Sequence, residues 1–302
     1  KETQSTIDPR DEIFGRSRVK DNEELLDYYK ELEEFSATAF WKRANDIEPW
    51  EPVTRYNPTI WKYSDLRDLV LKSAELVKPE EAGRRVVVLM NDSEAGRKHT
   101  ASVGWLFSGL QVMKPGEITP AHRHMASAQR FIMEGDGAYT VVDGHEIELE
   151  KNDYVLTPNG CWHDHGVFKN GRVSIWQDGL DIPLMNSLET NFYEVYPKEV
   201  QEKDYPTNDS PNTFGTTGML PADSMSWSKP YSPLMVYRWE DTKNGLYNLS
   251  KASEGSLYDD YILRYSNPTT GGWAMKTMGA HMQMLKPKQH TKAHPHTGNV
   301  MY

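Results

Sequence analysis

The chain has 302 residues, with 34 Lys and Arg against 44 Asp and Glu, a formal charge of −10 at pH 7 and a mean hydropathy of −0.72. No apolar run approaches the roughly 18 residues that cross a bilayer, the start Lys1-Glu2-Thr3-Gln4 lacks a charged-then-apolar leader, and no basic stripe is available for phosphates. A cytoplasmic protein with a small-molecule partner, and with neither a nucleic-acid nor a membrane partner, is expected; the single Cys161 excludes an internal disulfide and a cysteine-only zinc site.

Residues 1–84 read as a charged helical segment. From Asn22 to Phe40, Leu25, Tyr28, Tyr29, Leu32 and Phe35 recur at three- and four-residue steps, which predicts an amphipathic helix. The Pro- and Trp-rich stretch Ile47–Trp61 reads as an ordered loop. A second helix is predicted over Ser64–Val77, capped by Ser64, with Leu66, Leu69, Val70, Ala74 and Leu76 as its buried stripe and Pro79 as its stop. Residues 85–186 change texture to short β-type runs: Arg85–Leu89, Gly104–Met113, Ala138–Val142, Glu146–Leu149, Tyr154–Leu156 and Arg172–Gln177. Many short strands of this kind make a sandwich or barrel. Val142-Asp143-Gly144-His145 predicts a tight hairpin, because Asp-Gly tolerates the positive φ angles of a two-residue turn. Residues 187–232, rich in Asn, Ser, Thr and Pro, read as a connecting segment.

The remaining residues, 233–302, contain an internal repeat. Gln111, Lys114, Pro115, Thr119, Ala121, His122 and His124 recur 172 positions later as Gln283, Lys286, Pro287, Thr291, Ala293, His294 and His296. The second copy stops at Tyr302, which aligns with Arg130. The sequence is therefore expected to be a fragment of a longer protein, its second module partial.

Chemistry concentrates in the first copy, since five of the ten histidines fall between positions 122 and 165. His122 and His124 alternate on a strand and share a face, and a later antiparallel strand can bring His163 or His165 opposite them. Three neutral imidazoles suit Fe(II), Mn(II), Ni(II), Cu(II) or Zn(II) and leave coordination positions open. The competing reading, histidines hydrogen-bonded in a polar core, is weakened by their clustering. His145 reads as solvent-facing in its turn, and Cys161 as a packed core thiol.

The span Gly116-x5-His122-x-His124 then Gly135, with Pro158-x4-His163, resembles the two cupin motifs. A wider set of segments is similar to the gentisate 1,2-dioxygenase family: Arg84-Arg85-Val86-Val87-Val88-Leu89, Ala121-His122-Arg123-His124, Arg130-Phe131-Ile132-Met133-Glu134-Gly135, Trp162-His163-Asp164-His165-Gly166 and Asp178-Gly179-Leu180-Asp181-Ile182-Pro183. The resemblance implies an all-β bicupin, with double-stranded β-helix (jelly-roll) modules, an N-terminal helical extension and, in this chain, an incomplete second module. It implies Fe(II) held by His122, His124 and His163, with His165 and Asp178 in catalysis. Arg130, Gln111, Asp164 and either Arg84 or Arg85, with Arg85 preferred, become the substrate-binding residues. Ala128 and Gln129 occupy the positions where many cupins carry a fourth, glutamate ligand, which agrees with a three-histidine subgroup. The activity implied is ring cleavage of gentisate by dioxygen to give maleylpyruvate, by a homotetramer. Salicylate, a substituted salicylate or 1-hydroxy-2-naphthoate is the alternative substrate, and a non-catalytic metal-binding cupin the alternative class. His294 and His296 are expected to be non-catalytic.

Overall fold

The computed structural model describes residues 17–222 and 227–302; the predicted leader-free start at Lys1–Gln4 and positions 223–226 of the connecting segment lie outside them. The chain divides into two units, one ending at Thr54 and the other running from Arg55 to Tyr302.

In the first unit the helix predicted over Asn22–Phe40 is broken in two. Helix α1 (Glu23–Glu34) starts where the Asn22 side chain accepts the Leu25 N–H, and it ends at Phe35, followed by Ser36 at a left-handed φ of 55°. Helix α2 (Phe40–Ile47) follows. Of the predicted stripe only Tyr29 is buried. Its hydroxyl accepts from the Trp41 indole N–H at 3.0 Å, and the Lys42 ammonium lies over its ring.

In the second unit, α3 (Tyr63–Leu76) starts one residue earlier than predicted, so Ser64 lies inside the helix and bonds Asp65 rather than capping. Val70 and Ala74 pack on Leu89, Leu110, Val112 and Ile175, whereas Leu69 and Leu76 of the predicted stripe are exposed. Pro79 does not merely stop this helix; it opens the short α4 (Pro79–Ala82), where its missing N–H costs nothing.

Eleven strands then build two facing antiparallel sheets, with α5 (Glu94–His99) between the first two strands. One sheet has six strands: β1 (Val86–Val88), β2 (Phe107–Met113), β4 (Ala128–Glu134), β7 (Tyr154–Thr157), β9 (Ser174–Leu180) and β11 (Val236–Tyr237), in the order β1-β2-β9-β4-β7-β11. The other holds β3 (Ile118–His124), β5 (Ala138–Val142), β6 (His145–Leu149), β8 (His163–Val167) and β10 (Tyr193–Val195), in the order β10-β3-β8-β5-β6. Apart from β1–β2 and the β5–β6 hairpin, neighbours in sheet order are far apart in sequence, as a jelly roll requires. The core lies between the sheets, where Met113, Ile132 and Trp176 of the first meet Ala138, Val142, Ile147 and Val167 of the second. Strand β2 is buried on both faces, with Leu110 and Val112 toward α3 and Gln111 and Met113 toward the core. The β5–β6 hairpin has the predicted turn, with Asp143 at φ 46° and Gly144 at φ 83°.

Helix α6 (Ile182–Ser187) closes the first module, and the segment predicted as a connection contributes to the sandwich: it carries the strand β10 paired with β3, and α7 (Asp209–Phe214). Its burial also corrects the reading of His145: the ring stacks on Tyr205 at 3.7 Å, and Nδ1 lies 2.9 Å from the Asp209 carboxylate, so His145 is buried rather than solvent-facing. Beyond β11, α8 (Trp239–Ala252) precedes a two-stranded sheet of β12 (Tyr261–Arg264) and β13 (His281–Met284), in which Gln283 pairs with Ile262. Among the described residues no helix is long and apolar enough to cross a membrane.

Candidate active site

Strands β3 and β8 carry the predicted histidines, and their register decides which of them meet. His163 lies opposite His122, while His165 lies opposite Thr119. Three residues of β3 thus span two of β8, so β3 has a bulge between Thr119 and His122. That bulge lets an odd-numbered Thr119 share a face with the even-numbered His122 and His124. Of the two candidates for the third position it is therefore His163 that closes on the pair. One ring nitrogen from each of His122, His124 and His163 lies within 4.8 Å of the others, all three residues being buried.

The ring orientations are fixed from behind. The Nδ1 atoms of His122, His124 and His163 lie 2.7, 2.7 and 2.9 Å from the backbone carbonyls of Pro120, Ala126 and Cys161. A carbonyl can only accept, so each Nδ1 carries the proton and each Nε2 presents a lone pair. All three Nε2 atoms are buried without a hydrogen-bond partner among the described residues. Three orphaned acceptors converging on one point fit a metal cation, and carbonyl-anchored imidazoles are the usual way such ligands are oriented. Burial lowers the His122 pKa to about 4 and the His124 pKa to about 3, with Arg84 and Arg130 adding repulsion. His163 is pushed well below its ordinary value for the same first reason. All three rings are thus neutral at pH 7, the form that binds a metal.

Around the triad the interior is cationic. Arg130 on β4 faces Asp178 on β9 with Nε and Oδ1 3.0 Å apart, and its Nη1 donates to Thr157 Oγ1. The approach to Asp178 is not that of a directed hydrogen bond, so both atoms keep bonding capacity. Burial raises the Asp178 pKa, while Arg130 and Arg84 pull it back. Asp178 does not bond His165, whose two ring nitrogens have no partner among the described residues and whose basicity burial and Arg130 suppress. Gln111 is buried on the inner face of β2, its Nε2 donating to Thr119 Oγ1 at 3.2 Å.

Two predicted substrate contacts are turned elsewhere. The guanidinium of Arg85 is bound to the Glu117 carboxylate at 2.5 Å and to the carbonyls of Val77 and Val112, which ties it to the outer layer of the sandwich. Arg84 faces the triad instead: it lies over the Tyr193 ring, which stacks on His122, and its charge bears on His122, His124, His165 and Asp178. Arg84 has no ion-pair partner among the described residues. Asp164 alternates to the outer face of β8, where its Oδ2 accepts from both N–H groups of Gln201, backbone and side chain. Tyr193 escaped the sequence reading because it sits in a segment with no strand periodicity.

Cys161 is buried in the main core, and burial together with nearby Asp143 raises its thiol pKa, which suits packing rather than nucleophilic chemistry.

Comparison with known proteins agrees with this geometry. A model of the cupin domain matches residues 109–176. Gentisate 1,2 dioxygenase 1 of Aquipseudomonas alcaligenes is 32% identical over 92% of this chain and 79% of its own length, and gentisate 1,2-dioxygenase of a Ralstonia species is 37% identical over 87% and 72%. The solved structure of salicylate 1,2-dioxygenase from Pseudoaminobacter salicylatoxidans with gentisate bound matches with a TM-score of 0.76 at 31% identity, over 87% of this chain and 73% of that one. Fold and histidine triad are those of a cupin dioxygenase with a metal cofactor. The chain belongs to the gentisate 1,2-dioxygenase family.

Proposed function

We propose that this protein is an Fe(II)-dependent dioxygenase that opens the ring of gentisate between its carboxyl- and hydroxyl-bearing carbons, giving maleylpyruvate with both oxygen atoms of dioxygen incorporated. The observation that carries the proposal is the combination of three orphaned imidazole nitrogens with the guanidinium groups of Arg84 and Arg130 and the carboxylate of Asp178 around them. His122, His124 and His163 would hold Fe(II), a redox-active ion that lets the spin-paired aromatic acid and triplet dioxygen react.

The remaining roles follow from charge and hydrogen-bonding capacity. Arg84 and Arg130 outnumber Asp178, so the interior keeps a surplus positive charge that favours an anionic substrate. A guanidinium suits a carboxylate because its planar fork donates two parallel bonds. Asp178 holds Arg130 in place before substrate arrives. His165, neutral and unpartnered, can accept the substrate's hydroxyl proton and return it to the product. Gln111 can donate to a substrate oxygen if its bond to Thr119 opens. Burial of Gln111, Arg130, His165 and Asp178 keeps water from competing with these bonds. We further infer a cytoplasmic homotetramer from the family resemblance, a state that sedimentation of the full-length protein checks.

The test is oxygen uptake by the Fe(II)-loaded full-length protein with gentisate, salicylate and 1-hydroxy-2-naphthoate side by side. Uptake with gentisate, one dioxygen per ring, is expected. Preference for another acid would keep the chemistry and reassign the substrate, and no uptake with any of them despite bound iron would overturn the proposal.

A further inference from the structure

The C-terminal repeat region reaches back to the first module at one buried carboxylate. Asp181, at the end of β9, is 1% exposed, and each of its oxygens has a partner. Oδ1 accepts the backbone N–H of Ser127 at 2.7 Å, and Oδ2 accepts the hydroxyl of Thr277 at 2.5 Å. The Asp181 N–H in turn donates to the Ser127 carbonyl at 3.4 Å, so the two residues clasp each other reciprocally. Ser127 follows Ala126, and the Ala126 carbonyl is the group that receives His124 Nδ1–H. The turn between β3 and β4 is held on its other side by apolar contacts of Ala126 and Ala128 with Leu180 and Met185.

We propose that Asp181 and Thr277 are positioning residues for His124, Thr277 being what the C-terminal region contributes to the site. The proposal rests on the reading of the triad as a metal site. Among the described residues the Ala126 carbonyl is the hydrogen-bond partner of the His124 ring, so rotation of the 125–127 turn would swing Nε2 away from His122 and His163. Asp181 blocks that rotation through Ser127. An aspartate with one oxygen unpaired would gain by turning toward solvent, and the Thr277 hydroxyl removes that alternative. A hydrophobic isostere at 277 would keep the carboxylate covered while withdrawing its donor. Partners that orient metal-binding histidines are worth about 10- to 100-fold in metal affinity, so the effect should be measurable.

The experiment uses the full-length protein with Co(II) as the metal probe, because its visible absorption reports the geometry of the donors. Thr277→Val should raise the hydrogen-exchange rate of the Ser127 amide, lower Co(II) affinity about tenfold and shift the absorption band. Thr277→Ser, which keeps the hydroxyl, should restore all three. Ser210→Ala, which removes a buried bond to the Pro233 carbonyl far along the chain, should lower the melting temperature and move none of them. The proposal is overturned if Thr277→Val leaves Ser127 exchange and Co(II) affinity at parent values, if Thr277→Ser fails to restore them, or if Ser210→Ala changes them equally. A parent protein that binds no Co(II) while Ser127 exchange still responds to Thr277→Val would overturn the metal reading and leave the clasp standing.

Discussion

The same seven-residue pattern occurs twice in this chain, and the two copies have different surroundings. In the first, His122 and His124 are buried, their Nδ1 atoms are tied to carbonyls, and His163 arrives from the facing strand β8. In the second, His294 is partly exposed and His296 is exposed, their rings lie 4.6 Å apart, and the nearest carboxylate, Asp259, is 3.7 Å from His294. No third ligand joins them among the described residues. The second pair lies beyond β13 and on no strand, and even on a strand, as in β3, a His-x-His pair is only two thirds of a site. The remaining third comes from the strand laid opposite it, and the low-dielectric burial that keeps the rings neutral comes from closing the sandwich around both.

The largest effect expected from that contrast is in activity. His163→Ala should reduce ring-opening turnover below about a thousandth of the parent value, whereas His294→Ala should leave it within about twofold; steady-state oxygen uptake separates the two. Arg130→Met sharpens the comparison at the substrate end. It should lower kcat/KM about 100-fold while metal content holds, and it should cost the fold about 3 kcal/mol by leaving Asp178 buried and unpaired; a parallel loss of metal would mean that Arg130 supports the triad instead.

Acid distinguishes the copies next. The buried rings of the first copy have pKa values lowered from 6.5, to about 4 for His122 and about 3 for His124, so between those values the unfolded chain binds protons that the metal-free folded chain does not. The stability they permit is whole above pH 6.5 and falls as the pH drops toward 4, His122 alone withdrawing on the order of 3 kcal/mol at about 1.4 kcal/mol per pKa unit. Denaturant melts of the metal-free protein at pH 7 and pH 5 should show about 2 kcal/mol of the His122 part of this loss. His122→Gln should flatten it.

The smallest effect lies outside both copies, at the joint between α3 and the sheet. Glu134 accepts from Tyr63 and Arg67 at 2.7 Å, and Arg67 draws its pKa below 4.5. Its contribution is therefore present above the ordinary carboxylate pKa and lost as the pH falls through the depressed one. Glu134→Gln should cost about 1 kcal/mol near neutrality, given the partial exposure of the pair, and nothing in strong acid.

Much of this was legible in advance because it rests on short-range rules. Alternation put His122 and His124 on one face, Asp-Gly marked the β5–β6 turn, and family motifs singled out the triad. What escaped depended on long-range register. The choice between Arg84 and Arg85 turns on the phase with which the chain leaves Gly83, at φ 66°, to enter β1. Asp164 followed its neighbours His163 and His165 in the motif, yet strand alternation sends it outward to Gln201. His145 looked exposed because Asp209 and Tyr205, which cover it, are about 60 residues away in a stretch without periodicity. The break after α1 is a backbone choice at Ser36 that the apolar spacing does not encode.

The environments of the two copies point to one metal ion on His122, His124 and His163 and none on the repeated pair. The most direct test is elemental analysis of full-length protein loaded anaerobically with Fe(II) and desalted, for the parent, His163→Ala and His294→Ala. One iron per chain is expected in the parent and in His294→Ala, with almost none in His163→Ala. Iron retained by His163→Ala, or lost from His294→Ala, would contradict the account.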